Sequence, residues 1–299
     1  MTLDAPADPT PRIAPATAIG TVGLTVSKLE RSLPFYEQLL GLPAAEQPDG
    51  SVLLGGAARL PPLLSLVGDG SAVPRDPRQT GLFHFAILVP TRRDLAVALA
   101  RLAQGGWRLE GASDHLVSEA LYLSDPDGNG IEIYRDRPRA EWRRDAAGQL
   151  AMATLPLDLE DLLGELRGAP ADPVGDACLP DGTRIGHVHL QVAELARTEA
   201  FYAGVLGLEV MVRGYPGALF LAAGGYHHHI GLNTWNSRGG SAPPAGGVGL
   251  RAYELRLGDQ GGLDAVLGRV AAAGLATESA AGGSTLVRDP SGNGVLLAV

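Results

Sequence analysis

The chain has 299 residues, of which 45% are hydrophobic and 19% are charged, a composition typical of a globular protein with a sizeable core. Its formal net charge of -9 and its pI of about 5.2 argue against nucleic acid or an anionic membrane as partner, because both need a basic face. A single cysteine, Cys178, excludes an internal disulfide and favours a reducing cytoplasm. The sequence contains no run of about 18 apolar residues, so it predicts no membrane span.

The chain begins with a stretch that is rich in proline and in small residues. Residues 1–16 contain Pro6, Pro9 and Pro11 and lack the apolar core of a signal peptide. They predict a disordered tail.

An internal repeat follows this tail. Residues 19–26 read IGTVGLTV, and residues 185–192 read IGHVHLQV. Each copy leads into a helical stretch that carries a Phe-Tyr pair and ends in Leu-Gly-Leu, with Gly41 and Gly207 at the place of a helix-terminating glycine. The two copies predict two related strand–helix units.

A second, looser repeat lies between them and after them. Residues 81–89 (GLFHFAILV) correspond to residues 249–257 (GLRAYELRL), and each leads about forty residues later to Asp-Pro followed by Gly-Asn-Gly. This is strong turn chemistry, and the apolar residues behind it predict a buried strand.

The two repeats together predict four units of about fifty residues, each a strand, a helix and two or three strands. They are placed in two domains, 17–137 and 184–299, which a connector over 138–183 joins. The connector contains an acidic amphipathic stretch, which predicts one short helix, and then several prolines. The four units are 17–70, 81–137, 184–236 and 247–299. The amphipathic stretch of the connector is 155–166, and its prolines are Pro170, Pro173 and Pro180.

A strand–helix–three-strand unit with a histidine in its first strand, a Phe-Tyr helix and a closing Asp-Pro-x-Gly-Asn-x-hydrophobic-Glu strand resembles the vicinal oxygen chelate superfamily. This group includes glyoxalase I, bleomycin-resistance proteins and type I extradiol dioxygenases. Three strings, at 81–88, 121–132 and 224–235, resemble the four-module bacterial catechol 2,3-dioxygenases in particular. The resemblance implies an α+β fold in which four βαβββ modules form two cupped mixed β-sheets with the helices outside.

The same resemblance implies a metal site whose ligands lie on the first and last strands of two modules. Those positions carry His84 and Glu132 in the second module and His187 in the third. Two histidines and one carboxylate are the ligand set of non-haem Fe(II) oxygenases, and Mn(II) accepts the same set. The corresponding positions of the other two modules hold residues that are unsuited to bind a metal: Thr21, Ala252 and Leu296.

This ligand set departs from the usual two-domain extradiol enzymes, which use their third and fourth modules. We infer from it that module two pairs with module three and module one with module four, so that the three residues form one site. If the modules paired in sequence order, each cup would hold at most two good ligands, unless the histidine run 227–229 joined them. The sequence leaves these pairings open.

Three further residues correspond to catalytic positions of extradiol enzymes. The resemblance implies that His228 donates a proton, that His115 handles a catechol hydroxyl and that Tyr122 hydrogen-bonds the substrate or oxygen. Strand alternation places His228 on the face opposite to its two neighbours, and places His189 on the same face as His187, as a pocket residue.

The implied function is Fe(II)-dependent insertion of both atoms of O2 into a catechol-type ring, with a small aromatic diol and O2 as partners. Residues such as Phe220, Trp235 and Tyr253 are expected to select the diol. One alternative is a glyoxalase-type isomerase or transferase, whose fourth protein ligand would have to come from 227–229. The other is a non-catalytic binding protein, against which the intact ligand set argues. The oligomeric state stays open, a homo-oligomer included.

Overall fold

A computed structural model of the protein describes residues 12–55, 62–146, 148–168 and 178–299. Most of the predicted tail, and both Pro170 and Pro173 of the connector, lie outside the described residues. Ile13 lies within the predicted tail, but its side chain is buried and its backbone N–H donates to the carbonyl of Gly207 at 2.8 Å. The folded part therefore includes residues before position 17.

The strands follow the order of the predicted modules. The first half of the chain contains β1 (Ala18–Val26), β2 (Ala44–Glu46), β3 (Val52–Leu54), β4 (Leu64–Gly68), β5 (Gly81–Leu88), β6 (Gly111–Asp114), β7 (Ser118–Ser124) and β8 (Gly130–Asp136). The connector adds β9 (Leu155–Pro156). The second half contains β10 (Arg184–Gln191), β11 (Glu209–Val212), β12 (Ala218–Ala222), β13 (Ile230–Asn233), β14 (Gly249–Arg256), β15 (Thr277–Ser279), β16 (Thr285–Arg288) and β17 (Gly294–Ala298).

Each module has a helix directly after its first strand, and the connector has one more. They are α1 (Leu29–Pro34), α2 (Arg92–Gln104), α3 (Leu159–Gly164), α4 (Leu195–Glu199) and α5 (Gln260–Ala272). A π-helical turn continues α1 over Phe35–Leu39 and α4 over Ala200–Val205, and short 3-10 turns occupy Arg139–Glu141 and Ala281–Gly283. In the part of the chain that is described, no helix is both long and apolar enough to span a bilayer.

Two curled mixed sheets contain these strands. The eight-stranded sheet has the order β15-β16-β17-β14-β1-β4-β3-β2, and the nine-stranded sheet has the order β11-β12-β13-β10-β5-β8-β7-β6-β9. The modules join through antiparallel pairs of their first strands, β1 with β14 and β10 with β5. The predicted α+β fold is confirmed, and module two does pair with module three and module one with module four.

The alternation of side chains along β5 separates the core from a polar cup. Phe85 and Ile87 are fully buried in the main hydrophobic cluster, which contains residues of both sheets. His84 and Ala86 point to the opposite face, because successive residues of a strand face opposite sides of its sheet.

The Asp-Pro turns bind the modules together. The carboxylate of Asp125 accepts the backbone N–H groups of Asp127 and Asn129, each at 2.8 Å, and the hydroxyl of Tyr36 in the first module at 2.9 Å. Asp289 repeats this arrangement with the hydroxyl of Tyr202 at 3.3 Å. The tyrosine of each Phe-Tyr pair therefore ties its helix to the turn of the next module.

The connector is part of the nine-stranded sheet and does not run free between two domains. Its strand β9 pairs antiparallel with β6, and its helix α3 lies within the stretch for which one short helix was predicted. Arg92 of α2 holds α3 in place through ion pairs to Asp161 at 2.7 Å and Glu165 at 2.9 Å. The connector therefore lies beside the cup of the second and third modules.

Candidate metal centre

Three adjacent strands bring the predicted ligands together. β5 lies between β8 and β10, and its residue Ala86 is the register partner of both Glu132 on β8 and His187 on β10. The two long side chains extend over the small Ala86 from either side. His84 stands two residues before Ala86 and so shares its face of the sheet.

The resulting cluster is compact and buried. The Nε2 atoms of His84 and His187 each lie 3.0 Å from Oε2 of Glu132. One ligand atom from each residue lies within 4.8 Å of the other two, and no other such group of three or more was found among the described residues. The three side chains are therefore preassembled around one small volume.

The charges of the cluster are those of a metal site at neutral pH. Burial alone would raise the pKa of Glu132, but the neighbouring His187 and His84 rings hold it well below its ordinary value. Burial lowers the pKa of His187 to about 4, against the opposing effect of the Glu132 carboxylate. The glutamate is an anion and His187 is a neutral imidazole, as metal ligation requires.

An unsatisfied nitrogen supports a bound cation. His84 Nε2 lies close to the glutamate, yet it is not aligned for a hydrogen bond and is buried without a hydrogen-bond partner. Leaving a buried polar atom unpaired costs about 1–3 kcal/mol. A divalent metal held by His84, Glu132 and His187 would satisfy this nitrogen, so the residues fit the metal that the resemblance implies.

A cavity of about 440 Å³ opens over the cluster, and His84 and Glu132 form part of its wall. This volume is in the range of sites that enclose a small ligand. Much of the wall is aromatic, which suits a flat ring, and the residues that contribute to it include Phe83, His189, Tyr215, Phe220 and Trp235. Phe220 and Trp235 line the cavity, as a role in selecting the diol requires, whereas Tyr253 does not, because it lies on β14 in the other sheet and donates to the hydroxyl of Tyr202.

His115 and Tyr122 form a hydrogen-bonded pair in this cavity. The carbonyl of Ala153 accepts from His115 Nδ1–H at 2.7 Å, so the other nitrogen, Nε2, accepts from the hydroxyl of Tyr122 at 2.7 Å. Burial, followed by the charge of Glu132, raises the pKa of Tyr122 well above its ordinary value, and the hydroxyl stays protonated. Both predicted residues therefore face the same space as the ligand cluster.

His228 also lines the cavity, with its ring centroid 4.0 Å from that of His187. His227 turns to Asp136, and Nδ1 of His229 accepts from the backbone N–H of Ala223 at 3.1 Å. Of the three, His228 alone lines the cavity, and its Nδ1 lies 2.7 Å from Nδ1 of His227. The run was predicted inside a strand, but it immediately precedes β13, and His229 reaches the sheet through its backbone carbonyl, which accepts from Val188 N–H at 3.0 Å.

Two contributions to this site were not predicted. Met152, Ala153 and Thr154 of the connector line the cavity. Asp136, at the end of β8, contacts the histidine run. The connector residues are distant from the motifs in sequence, whereas Asp136 lies four residues after Glu132 on the same strand, which was its only signal.

Fold and cluster together define a family, and the sequence agrees. Residues 18–133 and 184–297 match the sequence model of the Glyoxalase/Bleomycin resistance protein/Dioxygenase superfamily, and the chain belongs to this superfamily. A catechol-2,3-dioxygenase of Bacillus subtilis (strain 168) is 46% identical over 277 residues, which cover 92% of this chain and 94% of that protein. The resemblance inferred from the motifs is confirmed.

Solved structures show the same fold at low sequence identity. A provisionally named dioxygenase from Bacillus subtilis subsp. subtilis str. 168 aligns with a TM-score of 0.61 at 13% identity, over 96% of this chain and 86% of that one. Glyoxalase I from Zea mays aligns with a TM-score of 0.55 at 17% identity, over 94% and 92%. The fold is therefore shared by proteins of different activity, and function must be argued from the site.

Proposed function

We propose that this protein is an extradiol dioxygenase that uses Fe(II) to insert both atoms of O2 into a catechol-type substrate, with cleavage next to the diol. The observation that carries the proposal is the buried cluster of His84, Glu132 and His187 beneath an aromatic-walled cavity. The catechol-2,3-dioxygenase relative, at 46% identity over most of the chain, supports the same activity.

The ligand number suits this reaction. Because the protein supplies only three ligands, a bound Fe(II) would be open to the diol and to O2, and it would supply a path for electrons between them. One carboxylate leaves the site with a net positive charge, which favours an anionic diol. His84, Glu132 and His187 would hold the metal.

The protein's own groups are placed to move protons. His115 carries its hydrogen on Nδ1, so its Nε2 and the hydroxyl of Tyr122 form one hydrogen-bonded unit that can receive a proton from a diol hydroxyl. His228 stands elsewhere on the cavity wall, against His187 and Phe220, at ring distances of 4.0 Å and 4.9 Å. We assign it the role of proton donor to oxygen. The aromatic wall would orient the ring and exclude water.

The glyoxalase-type alternative requires a fourth protein ligand. Among the described residues the cluster comprises three, and each histidine of the run 227–229 has a ring nitrogen in contact with a group outside it. A three-ligand site favours the dioxygenase.

The test is anaerobic reconstitution with Fe(II), followed by catechol and air, with the yellow semialdehyde and O2 consumption as readouts. We expect one O2 per ring opened. A His187→Ala variant should lose both iron and activity, whereas His229→Gln, which changes a buried histidine outside the cluster, should retain both. If His187→Ala keeps full iron and activity, the assignment of the site is wrong. Reconstitution with Mn(II) in parallel identifies the metal that supports turnover.

Two wider expectations accompany this proposal. Cys178 is an exposed free thiol, which supports a reducing cytoplasmic setting. A small aromatic diol and O2 are the proposed partners, and a homo-oligomer stays a prediction.

A further inference from the structure

A line of hydrogen bonds runs from the cavity to Asp136 at the end of β8, through residues that have no role in the proposal above. His228 Nδ1 lies 2.7 Å from His227 Nδ1, and His227 Nε2 lies 2.9 Å from Oδ1 of Asp136. Asp136 also accepts from the hydroxyl of Tyr226 at 3.0 and 3.1 Å. His228 thus contacts His227, and His227 contacts Asp136; neither of these two residues lines the cavity.

The positions of the protons follow from the end of this line. A carboxylate only accepts hydrogen bonds, so His227 carries a hydrogen on Nε2. A neutral His227 then has its lone pair on Nδ1. One hydrogen must occupy the 2.7 Å contact between the two Nδ1 atoms, and it therefore belongs to His228. The nitrogen of His228 that remains for a molecule in the cavity is Nε2, with its lone pair free.

We propose that Asp136 and His227 are positioning residues that fix His228 in the tautomer with hydrogen on Nδ1, so that Nε2 meets the substrate as a proton acceptor and later as a donor. This inference rests on the proposed function for its catalytic consequence. The tautomer itself does not depend on it. The arrangement is a carboxylate–imidazole pair acting on a second imidazole, with the same logic by which a buried aspartate orients a catalytic histidine.

The surroundings hold the two positioning residues in place. The side chain of His227 is fully buried. The centroid of its ring lies 4.1 Å from that of Tyr226 and 5.4 Å from that of Trp142. Tyr226 in turn shares a hydrogen bond of 2.7 Å with the hydroxyl of Tyr134. His227 therefore has little freedom to turn, and its tautomer is set by Asp136.

A glycine provides the space for this arrangement. A Cβ at residue 186 would lie 1.8 Å from the hydroxyl oxygen of Tyr134, a distance that no packing tolerates. Gly186 directly precedes His187 on β10. The same strand therefore supplies a proposed metal ligand and leaves space for Tyr134, which contacts Tyr226 beside His227. This coupling fits a built support for the site better than an incidental contact.

The test compares two isosteric variants of His227. His227→Asn retains an oxygen near the position of Nδ1 and can still accept from His228, whereas His227→Leu cannot. Nitrogen NMR of ¹⁵N-histidine-labelled full-length protein, metal-free and with Zn(II), reads the tautomer of His228 without any turnover. We expect hydrogen on Nδ1 of His228 in the wild type and in His227→Asn, and a mixture of tautomers in His227→Leu and Asp136→Leu.

Turnover of the Fe(II) protein then links tautomer to function. We expect kcat for catechol to fall by about 10- to 1000-fold in His227→Leu with KM changed less than about threefold, and His227→Asn to recover most of the loss. Iron content and melting temperature report folding. Hydrogen on Nε2 of His228, a doubly protonated His227, or equal kcat in the Asn and Leu variants would overturn the inference. Absence of wild-type turnover with the expected tautomer would instead refute the proposed function alone.

Discussion

Glu132 and His187 come from strands that are not neighbours in the sheet, yet Oε2 of the glutamate lies 3.0 Å from Nε2 of the histidine. Both are register partners of Ala86 on the strand between them, and that residue has only a methyl group. The size of one side chain that binds nothing thus controls the distance between two ligands on either side of it.

Ala86→Leu should therefore disrupt the metal site more than the fold. The added side chain would occupy the volume in which Glu132 and His187 meet, and overpacking of this kind costs typically about 1–3 kcal/mol. We expect iron affinity to fall by more than about tenfold, because second-layer changes at metal sites commonly cost 10- to 100-fold. Iron titration of the reconstituted protein measures the effect. Ala98→Leu on α2, away from the cavity, is the matched control, and equal iron affinities in the two variants would contradict the prediction.

Tyr122→Phe should lower turnover and leave the metal in place. The variant removes the hydroxyl that donates to His115 Nε2, but none of the three ligands. Loss of a group in a proton-transfer unit should reduce kcat/KM for catechol by about 10- to 100-fold at unchanged iron content. Steady-state kinetics and iron analysis check both parts.

The control for this experiment is Tyr253→Phe. It removes a fully buried hydroxyl on β14 of the other sheet, which donates to the hydroxyl of Tyr202. Its catalytic constants should match the wild type, with a loss of stability of about 1 kcal/mol. Similar kcat/KM values in the two variants would argue against a role of Tyr122 in the reaction.

The metal-free protein should lose stability as the pH falls below 6.5. Burial, with a smaller effect of the neighbouring His227 in the same direction, lowers the pKa of His229 from the ordinary 6.5 to about 3. Between these values the unfolded chain holds the proton and the folded chain does not, so the free energy of unfolding decreases as the pH falls. One such group contributes a slope of up to about 1.4 kcal/mol per pH unit.

Urea unfolding of the metal-free protein at pH 7, 6 and 5 measures this slope. His229→Gln lacks the titrating ring, and its stability should fall with pH less steeply by up to about 1.4 kcal/mol per unit. His187, with a pKa lowered to about 4, adds to the slope in both proteins and does not affect the difference. Parallel slopes would show that His229 takes up its proton in the folded state as readily as in the unfolded chain.

Much of this site followed from local sequence. The Asp-Pro and Gly-Asn-Gly strings determine turns whose aspartates accept their own backbone N–H groups, and the alternation of side chains along β5 separates His84 from Phe85. With the family pattern, these local rules indicated the three proposed ligands. They also placed His228 on the opposite face from its neighbours, although they wrongly extended the strand through the run.

What the sequence could not determine is which distant strands become neighbours. His84 and His187 lie 103 positions apart, and the hydrogen bonds that align β5 with β10 form between backbone groups that are the same in every residue. A partner is therefore selected by the packing of whole modules, which also brings the connector carbonyl of Ala153 to His115 and Asp136 to His227. The sequence by itself indicated the candidate ligands and the faces on which they lie; the tertiary structure alone decided that they meet over Ala86.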